Sequence, residues 1–332
     1  MPCARCGMDP ARSRCSCCKA VHYCSAACQK EDWKAHRASC KPAASGAAPS
    51  GGTAAESELV GVEAGGKRML PCVENIPREL RDGCHIIPCA RGPAHNLLLL
   101  MHGLGDTARP YAGLARQMEL PLTAAIALPG PMEVPLTEGG RAWFAAFDSE
   151  YNPIPDNLRA GDRRRLDSLD QSLTALRKLM KLLAGKGWPP ENIHVLGFSQ
   201  GGVVALHMAM EHGLGSCVCL SAGLLSETRE GGTILLPPSA PAADKGTPTP
   251  IIISHGTRDE MVREEAVSAT AEALRARGHR VALELFDKGH EVMSGPAETR
   301  ALMAFWSEHL RAPAPGGDGS GVVEIRGGGG AG

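Results

Sequence analysis

The stretch Gly197-Phe198-Ser199-Gln200-Gly201-Gly202 constrains this chain more than any other. A short apolar run, residues 193–196, enters it, and Val203-Val204-Ala205-Leu206 opens a helical pattern after it. Strand, sharp turn and helix in that succession are what a G-x-S-x-G nucleophile elbow requires. The turn forces the serine backbone into a crowded conformation, and Gly197 and Gly201 carry no Cβ to clash there. Ser199 Oγ can then stand clear at the end of a sheet. The same pentapeptide also fits an ordinary serine in a glycine-rich turn, so the surrounding residues must decide.

Around the elbow, from about residue 69 to residue 311, strands and helices alternate. Apolar runs suited to buried parallel strands lie at 97–101, 124–128, 193–196, 216–220 and 251–253, and the more alternating run 281–286 reads as nearer an edge. Leu166, Leu169, Leu173, Leu176, Met180 and Leu183 recur every three or four residues and make one apolar helical stripe. Residues 262–277 and 298–310 read likewise. This alternation predicts an α/β sandwich with a mainly parallel sheet whose ligands sit at the carboxyl ends of the strands.

Several chemical groups fall at those ends. The run 97–101 terminates in His102-Gly103-Leu104-Gly105-Asp106, a turn suited to offering a backbone N–H; Leu104 N–H and Gln200 N–H are the expected oxyanion donors. Gln200 is expected to act through its backbone and not its amide. His102 precedes the serine and reads as structural. Asp259 follows the strand at 251–253, and His290 follows the last strand. The order Ser199, Asp259, His290 is that of α/β-hydrolases. Serine is a poor nucleophile until a base removes its proton, and the base needs a carboxylate to fix its tautomer. Glu260, Asp287, His255, His279 and His309 are the rivals, read as neighbours, strand-end, loop and helix-surface residues.

The first forty residues read Cys3-x2-Cys6-x8-Cys15-x2-Cys18-x5-Cys24-x3-Cys28-x7-His36-x3-Cys40. Closely spaced pairs of soft ligands suit two tetrahedral Zn²⁺ sites, and eight ligands in two four-coordinate sites leave no position for water. The expectation is two structural ions and no cofactor for catalysis. Cys17 is a bystander thiol. So short a segment buries too little apolar surface to fold alone, so zinc would supply most of its folding free energy. Spacing alone leaves sequential and interleaved ligation equally open.

That ligand spacing, with Tyr23 before the fifth ligand, resembles the MYND zinc finger. The resemblance implies a cross-braced pattern, with Cys3, Cys6, Cys24 and Cys28 on one ion and Cys15, Cys18, His36 and Cys40 on the other. It also implies a protein-interaction module, often for proline-containing peptides. Tyr23 and Trp33 serve either as peptide contacts or as the finger's own small core. No basic helix follows the ligands, which disfavours nucleic acid.

Downstream, the His102 to Asp106 turn, Pro129-x-Pro131 with Arg141-Ala142-Trp143-Phe144, the Ser199 elbow, His255-Gly256-x-x-Asp259 and Gly289-His290 resemble the phospholipase/carboxylesterase family, which includes the acyl-protein thioesterases. The likeness spans roughly residues 85–310. It implies Ser199, Asp259 and His290 as a triad, with Leu104 and Gln200 as oxyanion donors. One departure is visible: the family places an aspartate directly after the Trp-aromatic pair, whereas here Ala145-Ala146-Phe147 precede Asp148, so the loop beside the acyl pocket is expected to differ.

The chain of 332 residues is therefore expected to divide into a finger at 1–40, a tether rich in Ala, Gly, Ser and Pro at 41–67, a hydrolase domain at 68–311 and a disordered tail at 312–332. Its formal net charge of −1 gives no overall pull toward nucleic acid or anionic lipid. No apolar run approaches a membrane span, and the N-terminus lacks a signal-peptide core, which points to the cytoplasm, with the nucleus as the other intracellular option. The expected activity is hydrolysis of acyl thioesters, as on S-acylated proteins, or of carboxylic esters. A lysophospholipase or broad carboxylesterase is the neighbouring alternative, and an interaction adaptor with an idle hydrolase domain is the alternative of another class.

Overall fold

The computed structural model of the chain describes residues 2–6, 13–14, 20–24, 28, 31–32, 35–36, 40, 68–134, 137–155, 163–230, 233–234 and 248–312. The tether at 41–67 and the tail from 313 onward lie outside the described residues, as do Cys15, Cys18 and Trp33. The chain divides into two units, Met1–Glu63 and Ala64–Gly332.

In the larger unit the main elements are β1 (His85–Ile87), β2 (Asn96–Met101), α1 (Ala108–Met118), β3 (Thr123–Leu128), α2 (Arg163–Gly185), β4 (Ile193–Phe198), α3 (Gln200–Glu211), β5 (Ser216–Leu220), β6 (Pro250–Gly256), α4 (Glu264–Ala276), β7 (Arg280–Phe286) and α5 (Gly295–His309). They build a seven-stranded sheet in the order β7-β6-β5-β4-β2-β3-β1. Every pairing is parallel except that of β1 with β3.

The apolar runs explain that arrangement. In β2, Leu97, Leu99 and Met101 enter the core on one face of the sheet, while Leu98 and Leu100 enter the core on the other. A strand covered on both faces has no solvent side, so its sequence is unbroken hydrophobe. Helix α2 buries all six residues of its predicted stripe, and Leu169, Leu173, Leu176, Met180 and Leu183 enter the first core. Strand β7 sits at the sheet edge and alternates in burial, as its sequence pattern predicts. Strand β1, at the opposite edge, has only three residues and left no readable period.

β4 is the middle strand, so the turn that follows it lies at the centre of the carboxyl edge. Tight packing fixes that turn. A Cβ on Gly197 would stand 2.1 Å from the Gly201 carbonyl oxygen, and one on Gly201 would stand 2.3 Å from the Met101 carbonyl oxygen. Among the described residues no helix is long and apolar enough to cross a membrane.

The smaller unit pairs Ser13–Arg14 antiparallel with His22–Tyr23. Its core is Cys3 and Tyr23, with Val21, Cys24, Cys28 and Cys40 packed against them.

Candidate active site

Ser199 directly follows β4 and is the N-cap residue of α3, with φ 51° and ψ −119°. A non-glycine residue at positive φ is strained, and such strain persists only where the surroundings impose it. Here the imposing contacts are the Ser199 N–H bond to the Leu220 carbonyl at 3.0 Å and the Gly201 N–H bond to the His102 carbonyl at 3.1 Å. The second bond clamps the elbow to the turn after β2.

The fold brings Ser199, His290 and Asp259 together from three strand ends. His290 Nδ1 lies 2.8 Å from Asp259 Oδ2, and His290 Nε2 lies 3.0 Å from Ser199 Oγ. A carboxylate only accepts, so Nδ1 carries the proton and Nε2 presents its lone pair to the serine hydroxyl. The Asp259 side chain is fully buried, while that of His290 keeps 19% of its surface exposed. Asp259 Oδ1 accepts the N–H groups of Met261 and Val262, each at 2.9 Å. Burial pushes the Asp259 carboxyl up, but the Val262 N–H, His290 and the Met261 N–H together hold it below the ordinary carboxylate range. The Phe198 ring packs against the imidazole, with centroids 4.9 Å apart.

The rivals sit elsewhere. Asp287 is exposed and pairs with Arg258 at 2.6 Å. His309 stacks edge-on against Phe305. His102 is buried in a structural role: its Nδ1–H donates to the Gly103 carbonyl at 2.6 Å, and its Nε2 accepts the Gly130 N–H at 2.8 Å. His255 is fully buried, with Nδ1 3.7 Å from Asp259 Oδ2, behind the carboxylate that serves His290.

Gly103 packs directly on the elbow, since a Cβ there would lie 3.5 Å from Ser199 Cβ. Leu104 follows in the same turn and is 40% exposed. Gln200 is the first residue of α3, where backbone N–H groups have no intrahelical partner. Its amide has a structural part besides the backbone role expected of it. Gln200 Oε1 accepts the Trp143 N–H at 2.9 Å, and Nε2 donates to the Phe144 carbonyl at 3.1 Å. Trp143 Nε1 donates in turn to the His102 carbonyl at 2.9 Å. No motif marks this contact, because an amide reaching a distant backbone has no sequence spacing.

The loop after Phe144 folds on its own polar contacts. Asp148 organises its own turn, accepting the N–H groups of Glu150 and Asn152 at 2.9 Å each. Its carboxyl is held low, first by the Asn152 N–H. Tyr151 stands on this turn at φ 65°, 61% exposed. An open groove of about 710 Å³ runs beside His290, lined by Thr257, Arg258, Glu260, Met261 and Gly289 together with Asp259. A separate cavity of about 370 Å³ lies among β1, the start of α1 and residues 129–141, and none of Ser199, Asp259 or His290 lines it.

In the smaller unit the thiols of Cys3, Cys6, Cys24 and Cys28 all lie within 4.8 Å of one another. The sulfurs of Cys6, Cys24 and Cys28 are 3.5 to 3.7 Å apart. Four thiolates around zinc, each about 2.3 Å from the ion, would be roughly 3.8 Å apart, so this donor set fits one tetrahedral Zn²⁺. Among the described residues, Cys24 and Cys28 join the first pair, as the interleaved arrangement requires. His36 is buried against Tyr23, ring centroids 6.2 Å apart, and Cys40 is half-buried against the Cys3 and Tyr23 core; their partners in the expected second set, Cys15 and Cys18, are outside the described residues. Tyr23 has no exposed surface, and its hydroxyl donates to Asp32 Oδ2 at 2.7 Å. Tyr23 is therefore core, which removes it as a peptide contact.

Comparison with known proteins agrees with both units. The Phospholipase/Carboxylesterase family model matches residues 82–311, and the MYND finger model matches residues 3–40. Esterase YpfH of Escherichia coli is 30% identical over 228 residues, which is 67% of this chain and 85% of that protein. Acyl-protein thioesterase 1 of Saccharomyces cerevisiae is 29% identical over 184 residues, 51% of this chain and 73% of that protein. Among solved structures, esterase PE8 superposes with a TM-score of 0.55 at 22% identity, covering 68% of this chain and 98% of that one. With more than half of its length matched by one family and the fold shared, the chain belongs to the phospholipase/carboxylesterase family of α/β-hydrolases, and it carries a MYND finger at its N-terminus.

Proposed function

We propose that the larger unit is a serine hydrolase that cleaves acyl thioesters, and carboxylic esters with them, through an acyl-enzyme. The observation that carries this reading is the hydrogen-bonded chain from Asp259 through His290 to Ser199. In the first half-reaction His290 Nε2 takes the Ser199 proton as Oγ attacks the acyl carbon. The Leu104 and Gln200 N–H groups hold the oxyanion of the tetrahedral intermediate. Its collapse breaks the bond to sulfur or oxygen, and the imidazolium gives the leaving group its proton. In the second half-reaction His290 deprotonates a water that attacks the acyl-serine, releasing a carboxylic acid and restoring Ser199. Asp259 stays ionised throughout and stabilises the imidazolium.

Support for thioesters comes from relatives named acyl-protein thioesterase, and support for oxoesters from relatives named esterase or probable carboxylesterase. The same site serves both, because a thiolate leaves readily. The smaller unit holds zinc for structure alone, one ion on Cys3, Cys6, Cys24 and Cys28 and a second on Cys15, Cys18, His36 and Cys40. It brings the enzyme to a protein partner, and residues 41–67 tether it to the catalytic domain. The test is a panel of long-chain S-acyl peptides, lysophospholipids and short esters, with Ser199→Ala as control. Preferential turnover of the S-acyl peptide supports the sharper reading; preference for the lysophospholipid or short ester replaces it with one of the neighbours.

A further inference from the structure

The segment that delivers His290 is built around an ion pair with no solvent exposure. Lys288 and Glu298 are both 0% exposed, and Lys288 Nζ lies 2.6 Å from Glu298 Oε1. Lysine almost never buries completely unless it is paired, and this one is paired two residues before His290. Its remaining donors go to two backbone carbonyls just beyond the histidine, Glu291 at 3.1 Å and Val292 at 3.4 Å. The ammonium thus grips the chain on the far side of His290 while its own backbone holds the near side. There the Lys288 carbonyl accepts the Arg258 N–H at 3.0 Å, joining the His290 loop to the Asp259 loop. Gly256 permits that approach, since a Cβ there would stand 2.3 Å from the Lys288 oxygen.

Glu298 fixes the ammonium from α5. Its Oε1 also accepts the Ser254 hydroxyl at 2.5 Å, and its Oε2 accepts the Ser294 N–H at 2.7 Å. On the other side of the loop, Ser221 Oγ donates to the same Glu291 carbonyl at 3.3 Å. Ser221 directly follows β5, at φ 49° with no exposed surface. We propose that Lys288, held by Glu298, is the positioning residue that sets the His290 imidazole between Asp259 and Ser199, with Ser221 as its second anchor on the Glu291 carbonyl. The proposal rests on the reading of His290 as the general base.

A buried pair that served stability alone could be exchanged for neutral groups of similar shape at little cost, whereas removing one partner strands a charge. The informative variant is therefore Lys288→Met with Glu298→Gln. It removes both charges, keeps an amide oxygen to accept the Ser294 N–H and an amide N–H that the Ser254 hydroxyl can accept, and leaves the Glu291 and Val292 carbonyls without their ammonium. We expect a Tm close to wild type, a kcat on a short ester lower by about 10- to 100-fold, and a KM within about twofold. The rate of fluorophosphonate labelling of Ser199 should fall in parallel. A folded double variant with wild-type kcat and labelling rate overturns the proposal. Should the double variant not fold, Ser221→Ala carries the test. It is expected to lose about two- to tenfold in kcat at unchanged KM, and full kcat at wild-type Tm would contradict the anchoring. Wild type and Ser199→Ala run alongside. If wild-type protein is unlabelled, the general-base reading itself fails and takes this proposal with it. If wild type is labelled and only the variants disagree, the failure belongs to Lys288.

Discussion

Gln200 Oε1 accepts the Trp143 backbone N–H at 2.9 Å, tying the residue after Ser199 to the segment at residues 143–144. The elbow and residues 143–144 are one hydrogen-bonded assembly, closed by the Trp143 indole on the His102 carbonyl. The nucleophile cannot shift without the loop feeling it.

Gln200→Leu keeps the backbone N–H and the side-chain volume but strands the buried Trp143 N–H. Thermal unfolding should show a loss of about 1–3 kcal/mol. Ser199 should still label with a fluorophosphonate. A variant as stable as wild type would mean the amide contact contributes nothing.

Gly201→Ala places a methyl 2.3 Å from the Met101 carbonyl oxygen, which is backbone and cannot swing aside. The elbow must open to admit it. Esterase activity should fall by at least about tenfold even where the protein remains folded by circular dichroism.

Asp259→Asn leaves the shape but reverses the imidazole tautomer preference, and kcat should drop by about 10⁴-fold. The same variant tests the electrostatics. The folded Asp259 carboxyl titrates below its ordinary value of 3.8, so the unfolded chain binds more protons in acid. Its contribution to stability is full above that value and is lost as the pH falls through the folded pKa. The Tm gap between wild type and Asp259→Asn should therefore narrow from about pH 5 to about pH 3. A gap that widens in acid would reverse the sign.

Much of this was readable before any coordinates. Strand β2 announces itself because burial on both faces leaves residues 97–101 uniformly apolar, β4 because its run is apolar but for His194, and α2 because its leucines line one face. The residues at their ends are legible because loop chemistry follows strand ends. Other features carry no such signal. Strand β1 is three residues long at an edge. Lys288 and Glu298 read as solvated charges, since only the fold reveals that each is buried against the other. Asp287 is closer to His290 in sequence than Asp259 is, yet strand geometry turns it outward to Arg258. Tyr23 could have faced a partner until its burial and its bond to Asp32 placed it inside.

Zinc removal should separate the two units. A strong chelator added to the full chain should release metal and unfold the finger, while turnover of a small ester stays within about twofold. Loss of turnover on chelation would contradict a purely structural role for the metal.

The most direct test of the central claim is intact mass after fluorophosphonate treatment of the wild-type chain, with the adduct mapped by peptide sequencing. One equivalent on Ser199, absent in Ser199→Ala and slowed in Asp259→Asn, is the predicted result. Folded wild-type protein that takes no adduct, or takes it on another residue, would contradict the account.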